Sequence, residues 1–265
     1  MKDLTDTVRF MQDVARQAAS VSQEFFRNRH SMEVGFKGQA DLVCKADIAT
    51  EEKIWSELRR GAPGYSYMGE ELGKHTGNDP DYVWFVDPID GTTNFLSGLH
   101  YVISIALKYR GETICGVLFN PLSGEMFSAI RDHGAYLNDR RIQVSSNSNP
   151  ERFVIGTGIP TQNLPFSTNA YRCLQAVREP IAGIRVLGSC ANSLAHVASG
   201  RLDGFFEGPT GVVDFAVGVL LVQEAGGKVT DYWGNEEWER NLFVLAGNAS
   251  VHGFLLETLD RAGVA

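Results

Sequence analysis

The stretch Val83-Trp84-Phe85-Val86-Asp87-Pro88-Ile89-Asp90-Gly91-Thr92-Thr93-Asn94-Phe95 runs four apolar residues into two aspartates, with a proline between them and Gly-Thr-Thr behind. The apolar, β-rich run reads as a buried strand. Pro88 has no amide hydrogen and a fixed φ, so the strand is expected to stop there, with Asp87 as its last residue and Asp90 in the turn beyond. Two carboxylates brought to one point repel unless a cation lies between them or one keeps its proton. Hard oxygen ligands with a backbone carbonyl nearby suit Mg²⁺. Gly91-Thr92-Thr93 then reads as the opening of a short helix, whose outward amide hydrogens bind anions, phosphate above all. Spacing alone leaves a second reading open, a turn that uses Asp and Gly for their turn preferences. The Asp-x-Asp-Gly-Thr pattern of enzymes that form an aspartyl phosphate does not fit, because it needs an acid where this chain has Pro88.

Around this stretch the period of the sequence is that of strands. "YVWFV", "YVISIALKY", "TICGVLFN" and "EMFSAI" are short β-rich runs divided by Arg110-Gly111, Asn120-Pro121 and Ser123-Gly124, which predicts an antiparallel meander. Upstream, Leu4, Val8, Met11, Ala15, Ala18 and Phe25 recur at helical spacing, and residues 48–60 predict a second helix with Ile54, Trp55 and Leu58 inward. The intervening "EVGFKGQADLVCKAD" reads as a loop or ribbon. The polar "SSNSNPE" at 145–151 marks a lobe boundary, giving one domain over 1–265 with sub-lobes of about 1–145 and 146–265. Beyond it, strand-like "RFVIGTG", "GIRVLGS", "DGFFEG", "KVTDYWG" and "FVLAGN" alternate with helical 167–178, "ANSLAHVAS" and 251–262. "DFAVGVLLVQEAGG" is apolar on nearly every face, which predicts a helix buried between layers, N-capped by Asp214 and stopped by Gly226-Gly227. The fold class is therefore layered α+β.

The chain has 265 residues, 43% hydrophobic and 21% charged, enough for a substantial core, and a formal charge of −8. That charge argues against direct binding of nucleic acid or anionic membranes, which need a basic surface. Cys44, Cys115, Cys173 and Cys190 form no Cys-x-x-Cys pair and suit a reducing cytoplasm. No apolar run approaches the length of a membrane span, and the N-terminus has no apolar leader core.

Further acids bear on the opening stretch: Glu70 and Glu71 in "MGEE", Asp47 at the end of "DLVCKAD", and Asp214. Each alone is an ordinary cap or solvated charge. Asp214 is the least ordinary, since a carboxylate at the mouth of a buried helix needs a partner.

"WFVDPIDGTTNF" and "DFAVGVLLVQEAGGKVTD" resemble the two signature motifs of the inositol monophosphatase family. "GEE" at 69–71, "DLVCKAD" at 41–47 and "GSCANSLAHVASGRLDGFFE" resemble further elements of that family, in the same order, from about Lys37 to Asp231. The resemblance implies an α-β-α-β-α sandwich, here with an antiparallel sheet in the first half and a mixed sheet in the second. It implies a Mg²⁺-dependent, Li⁺-sensitive hydrolase of phosphate monoesters, with two to three Mg²⁺ ions and a homodimeric state. It assigns Glu70, Asp87 and the Ile89 carbonyl to one ion, Asp87, Asp90 and Asp214 to a second, and Glu70 to a weaker third. It gives Thr92, hydrogen-bonded to Asp47, the orienting of the attacking water, and the Gly91 and Thr92 amides the phosphate. Asp90, Ser189, Cys190, Glu207 and Asp214 fall on the substrate side. The first substrate implied is inositol 1-phosphate; relatives in the superfamily use histidinol phosphate, fructose 1,6-bisphosphate or 3′-phosphoadenosine 5′-phosphate, and some bacterial members are partners of the RNA-synthesis machinery. Two departures bear on the leaving group: Val213 stands where the family usually has tryptophan, and the loop before it reads Gly208-Pro209-Thr210-Gly211.

Overall fold

The computed structural model describes residues 3–31, 34–38, 41–159 and 167–264. The first half contains α1 (Leu4–Arg27), a ribbon of β1 (Val34–Gly38) and β2 (Asp41–Cys44), α2 (Lys45–Gly61), β3 (Tyr65–Gly69), β4 (Lys74–His75), β5 (Asp79–Asp90), α3 (Thr92–Ser97), β6 (Val102–Tyr109), β7 (Glu112–Asn120), β8 (Glu125–Ile130), β9 (Gly134–Leu137) and β10 (Arg140–Arg141). The second half contains β11 (Val154–Thr157), α4 (Ser167–Val177), β12 (Gly183–Val186), α5 (Cys190–Ala198), β13 (Gly204–Glu207), α6 (Val212–Glu224), β14 (Lys228–Thr230), α7 (Trp238–Asn241), β15 (Val244–Gly247) and α8 (Ala249–Arg261).

The strands of the first half from β3 on form an eight-stranded sheet, ordered β10-β9-β8-β7-β6-β5-β3-β4. It is antiparallel throughout except between β3 and β5. The expected meander is therefore present from β5 onward. The β6–β7 turn takes positive φ at Arg110 and Gly111, the backbone of a tight hairpin. The second sheet, ordered β12-β11-β13-β15-β14, is parallel across β12-β11-β13 and antiparallel beyond.

The strand period of two decides the layers. Trp84 and Val86 of β5, with Ile103, Ile105 and Leu107 of β6, pack beneath α1 and α2. On the opposite face Val102, Ala106, Leu118 and Phe127 pack on α5 and α6, which in turn cover Phe205, Val244 and Ala246 of the second sheet. Phe206 and Leu245 turn the other way, onto α4 and α8. The result is the expected α-β-α-β-α sandwich. The middle layer explains why α6 is apolar all round: Phe215 to Val222 are buried without interruption. Glycines let it approach closely, since a Cβ at Gly218 would lie 2.6 Å from Leu194 Cβ and one at Gly116 2.9 Å from Val217 Cγ1.

Three boundaries differ from expectation. α2 starts at Lys45 instead of 48, so Asp47 lies inside the helix. β5 does not stop at Pro88. It continues to Asp90 through a register jump, with Asp87 opposite Ser104 and Asp90 opposite Val102. The extra residue makes a bulge, and a bulge tolerates proline because no ladder bond is required there. Finally, Asp214 is not the N-cap of α6. The cap is Gly211, and Asp214 sits in the first turn reaching back to it.

His252 of α8, only 1% exposed, sets a pH limit on this half. The Thr230 hydroxyl donates to the Asp231 carbonyl, so it accepts from His252 Nε2–H at 2.9 Å, which fits the neutral ring. Burial, with help from the Lys228 charge, lowers the His252 pKa to about 4. A base whose folded pKa is depressed adds stability that is full above its unfolded pKa and is lost as pH falls through the window from about 6.5 to about 4. Urea unfolding across that window is expected to show the parent losing up to about 3 kcal/mol relative to His252→Gln. Parallel pH profiles of the two proteins would contradict this.

Candidate active site

The site lies where β5, α2, α3, α5 and α6 meet. The bulge in β5 turns Asp87 and Asp90 into the interior, at 2% and 8% exposure. Asp87 Oδ1 accepts the Ile89 amide at 2.9 Å, which closes the bulge on its own side chain. Burial first, then the charges of Glu70, Asp90 and Asp214, push the Asp87 pKa well above the ordinary carboxylate range, and Asp87 hydrogen-bonds to Glu70. Burial and the Asp214 charge likewise push Asp90 up to about 7. Asp87 and Asp90 of β5 therefore both lie in the field of Glu70, from the turn after β3, and of Asp214, from α6.

Asp90 and Asp214 also have local anchors. Asp90 Oδ2 accepts the Ser189 hydroxyl at 2.6 Å and the Ala191 amide at 2.7 Å, so it caps the start of α5. Asp214 Oδ2 accepts the Gly211 amide at 2.8 Å and the Thr210 hydroxyl at 2.7 Å. This is the reach-back of an acid at the third helical position, and it gives Thr210 of the unusual loop a contact with Asp214. The Thr210 amide in turn donates to the Leu242 carbonyl at 3.1 Å, fixing the loop to the end of α7.

Asp47 is fully buried and gathers the other side of the site. Its Oδ1 accepts the Thr92 hydroxyl at 3.0 Å, and its Oδ2 accepts the Cys44 amide and thiol, both at 2.9 Å. Burial raises the Asp47 pKa against the pull of these donors. Gly91, the cap of α3, has φ +98° and ψ 45°, a conformation open to glycine, and a Cβ there would meet the Gly188 carbonyl at 3.1 Å. Asn94 Nδ2 donates to the Leu187 carbonyl at 2.7 Å, tying α3 to the segment before α5.

Glu207, at the end of β13, faces Asp90 and Asp214. Burial and those two charges push it up to about 8, and the Cys190 thiol hydrogen-bonds to it.

The structure thus brings together Asp47, Glu70, Asp87, Ile89, Asp90, Gly91, Thr92, Ser189, Cys190, Glu207 and Asp214 around one region. Ser189, read from the sequence as a substrate contact, spends its hydroxyl on Asp90. The sequence reading singled out Thr210 only as part of the unusual loop, without its contact to Asp214, and gave Asn94 and Glu51 no role. Glu51 had a signal, since it follows Asp47 by four residues on one helix.

The donor set is all oxygen: four carboxylates and the Ile89 carbonyl. Among the described residues no three His, Cys, Asp or Glu side chains close on one point as a finished ligand shell. The charges that dominate around Asp87 are nonetheless all negative, and a hard divalent cation is the species that would offset them. The residues therefore fit a metal of that kind.

A five-layer α+β sandwich holding buried carboxylates between its two sheets has the build of a metal-dependent phosphoric monoester hydrolase. The chain matches the model of the inositol monophosphatase family over residues 3–263 and belongs to that family. It is 38% identical over 252 residues to an inositol-1-monophosphatase of Mesorhizobium japonicum, covering 95% of this chain and 94% of that one. It is 39% identical over 256 residues to the Nus factor SuhB of Pseudomonas aeruginosa, covering 92% and 93%. Among solved structures, the extragenic suppressor protein suhB of Bartonella henselae superposes with a TM-score of 0.94 at 37% identity, covering 97% and 99%. No helix among the described residues is long and apolar enough to cross a membrane.

Proposed function

We propose that this protein hydrolyses the phosphate monoester of a polyol, with inositol 1-phosphate as the first substrate and Mg²⁺ as the metal. The observation that carries the reading is the burial of Asp87 and Asp90 on the β5 bulge, within electrostatic reach of Glu70 and Asp214. Glu70, Asp87 and the Ile89 carbonyl would hold one ion, Asp87, Asp90 and Asp214 a second, and Glu70 would serve a third. When bound, the ions supply Lewis-acid polarisation of the phosphoryl oxygens and an activated water.

The remaining work belongs to the chain. Asp47 takes the Thr92 hydroxyl proton into its hydrogen bond, so the Thr92 oxygen is left to accept from a water and aim its lone pair at phosphorus. The Gly91 and Thr92 amides seat the phosphate. Glu207, held by Cys190 beside Asp90 and Asp214, accepts hydrogen bonds from substrate hydroxyls. The two lobes, about 1–145 and 146–265, work as one phosphatase domain, with α6 between them carrying Asp214. We read the protein as a cytoplasmic homodimer; that its four cysteines are buried and free supports the compartment.

A panel of inositol 1-phosphate, histidinol phosphate, fructose 1,6-bisphosphate and 3′-phosphoadenosine 5′-phosphate, with and without Li⁺, tests the reading. The inositol ester is expected to lead, with Li⁺ lowering its turnover. A panel led by a non-polyol would overturn the substrate while leaving the mechanism standing. A second reading is favoured by the relatives named Nus factor SuhB: a protein-partner role in RNA synthesis that does not need hydrolysis. It predicts that a variant without phosphatase activity still complements such a role in cells.

A further inference from the structure

Glu51 is a carboxylate with no exposed surface, on α2, and no step of the reaction above uses it. Its Oε2 accepts the Glu71 amide at 2.7 Å, and its Oε1 accepts the Leu72 amide at 3.0 Å and the Tyr67 hydroxyl at 2.9 Å. A buried carboxylate persists only where donors satisfy it, and bonds from N–H to a charged oxygen are the strong ones. Here two of the three donors are the amides that directly follow Glu70. The Glu70 amide itself donates to the Val86 carbonyl at 3.1 Å, and the Gly69 amide to the Gly73 carbonyl at 3.0 Å. The turn is thus held by β5 before the Glu70 side chain and by Glu51 after it. Space is reserved for this contact: a Cβ at Gly69 would lie 1.7 Å from Glu51 Oε1.

We propose that Glu51 is a positioning residue for Glu70: it clamps the Glu71 and Leu72 amides so that the Glu70 carboxylate stays turned toward Asp87, and the affinity of the site for Mg²⁺ depends on that clamp. The proposal rests on the reading of Glu70 as a metal ligand. It makes α2 a two-point support, with Asp47 holding Thr92 and Glu51, one turn on, holding the Glu70 turn. Glutamine at 51 keeps the volume but replaces one acceptor oxygen with an NH₂ that faces a donor, so the clamp fails without a cavity.

The test is calorimetric titration of the full chain with Mg²⁺ alone, beside amide hydrogen exchange and steady-state kinetics. Glu51→Gln is expected to raise the Kd for Mg²⁺ about tenfold or more, the range measured for groups that orient metal ligands. The Mg²⁺ concentration for half-maximal rate should rise with it, and kcat at saturating Mg²⁺ should stay within about threefold, as an effect on affinity alone requires. Exchange at the Glu71 and Leu72 amides should quicken in metal-free protein. Gly69→Ala, which displaces Glu51 without changing any charge, should move the Kd the same way. Tyr67→Phe removes a donor but neither amide, so its Kd should stay within about twofold. Folded Glu51→Gln with parental affinity, while Glu70→Gln binds weakly, would overturn the clamp and leave the metal reading intact. Parental affinity in Glu70→Gln would overturn the metal reading beneath it. If Glu51→Gln does not fold, Gly69→Ala decides, and parental affinity there overturns the proposal.

Discussion

Asp90→Asn is expected to lower kcat by about 10³-fold or more while leaving the fold intact, because it removes a charge that the proposed metal site and the transition state would both need. The asparagine carbonyl can still accept the Ser189 hydroxyl and Ala191 amide that Asp90 Oδ2 accepts at 2.6 and 2.7 Å. The start of α5 therefore keeps its cap. The neighbours of Asp90 include Asp214 and Glu70, so removing one of these mutually repelling charges should leave the melting temperature in chelator equal to or above the parent's. Adding Mg²⁺ should then separate the two proteins. A ligand at 100 times its Kd stabilises the folded state by about 2.7 kcal/mol, and the variant should lose most of that shift. A variant that is more stable in chelator, less stabilised by Mg²⁺ and inactive identifies Asp90 as a site residue instead of a structural one. Retention of more than a tenth of the parental kcat would sink the assignment. The same variant in cells separates hydrolysis from any partner role in RNA synthesis.

Why these acids could be found in the sequence, and their supports could not, follows from what each residue answers to. The order of layers was legible because side-chain periodicity records burial: β5 and β6 alternate between two cores, and α6 is apolar on every side because it is covered on every side. The expected stop at Pro88 failed because proline forbids a ladder hydrogen bond, not a strand, and the bulge between Asp87 and Asp90 removes the need for that bond. Asp214 was misplaced by three residues for a related reason. An acid can cap a helix from the N-cap itself or from the third helical position, and the sequence alone does not choose between them. The spacing of Glu51 from Asp47 placed it on the right helix face, but its role and that of Ser189 as supports were not legible, because they are set by partners 20 and 99 residues away, through contacts with no period. The family resemblance reached the acids proposed above for metal and substrate.

Thr92→Val is the second large effect expected, and it separates orientation from binding. Valine matches threonine in shape, keeps the backbone amide at 92, and removes only the hydroxyl. In the parent that hydroxyl lies 3.0 Å from Asp47 Oδ1 and 3.3 Å from the Ile89 carbonyl, and the shorter contact to the charged oxygen is where its proton goes. Its own lone pairs are thereby committed to accepting, so a water bound there must donate and present its oxygen to the phosphate. Without that constraint the water is held but not aimed, and positioned proton-transfer groups are worth roughly 10²–10⁴-fold. The kcat of Thr92→Val should therefore fall by about 10²- to 10³-fold with KM nearly unchanged, because the proposed phosphate seat is backbone. A stability cost should accompany it. Asp47 Oδ2 keeps both donors from Cys44, but Oδ1 is left buried and unpaired, which costs about 1–3 kcal/mol. Thr92→Ser restores the hydroxyl and should recover most of both losses. If the valine variant turned over within threefold of the parent, or the serine variant were as slow as the valine, the hydroxyl would not be what aims the water, and the pair of Thr92 with Asp47 would be a structural tie between α2 and α3 alone.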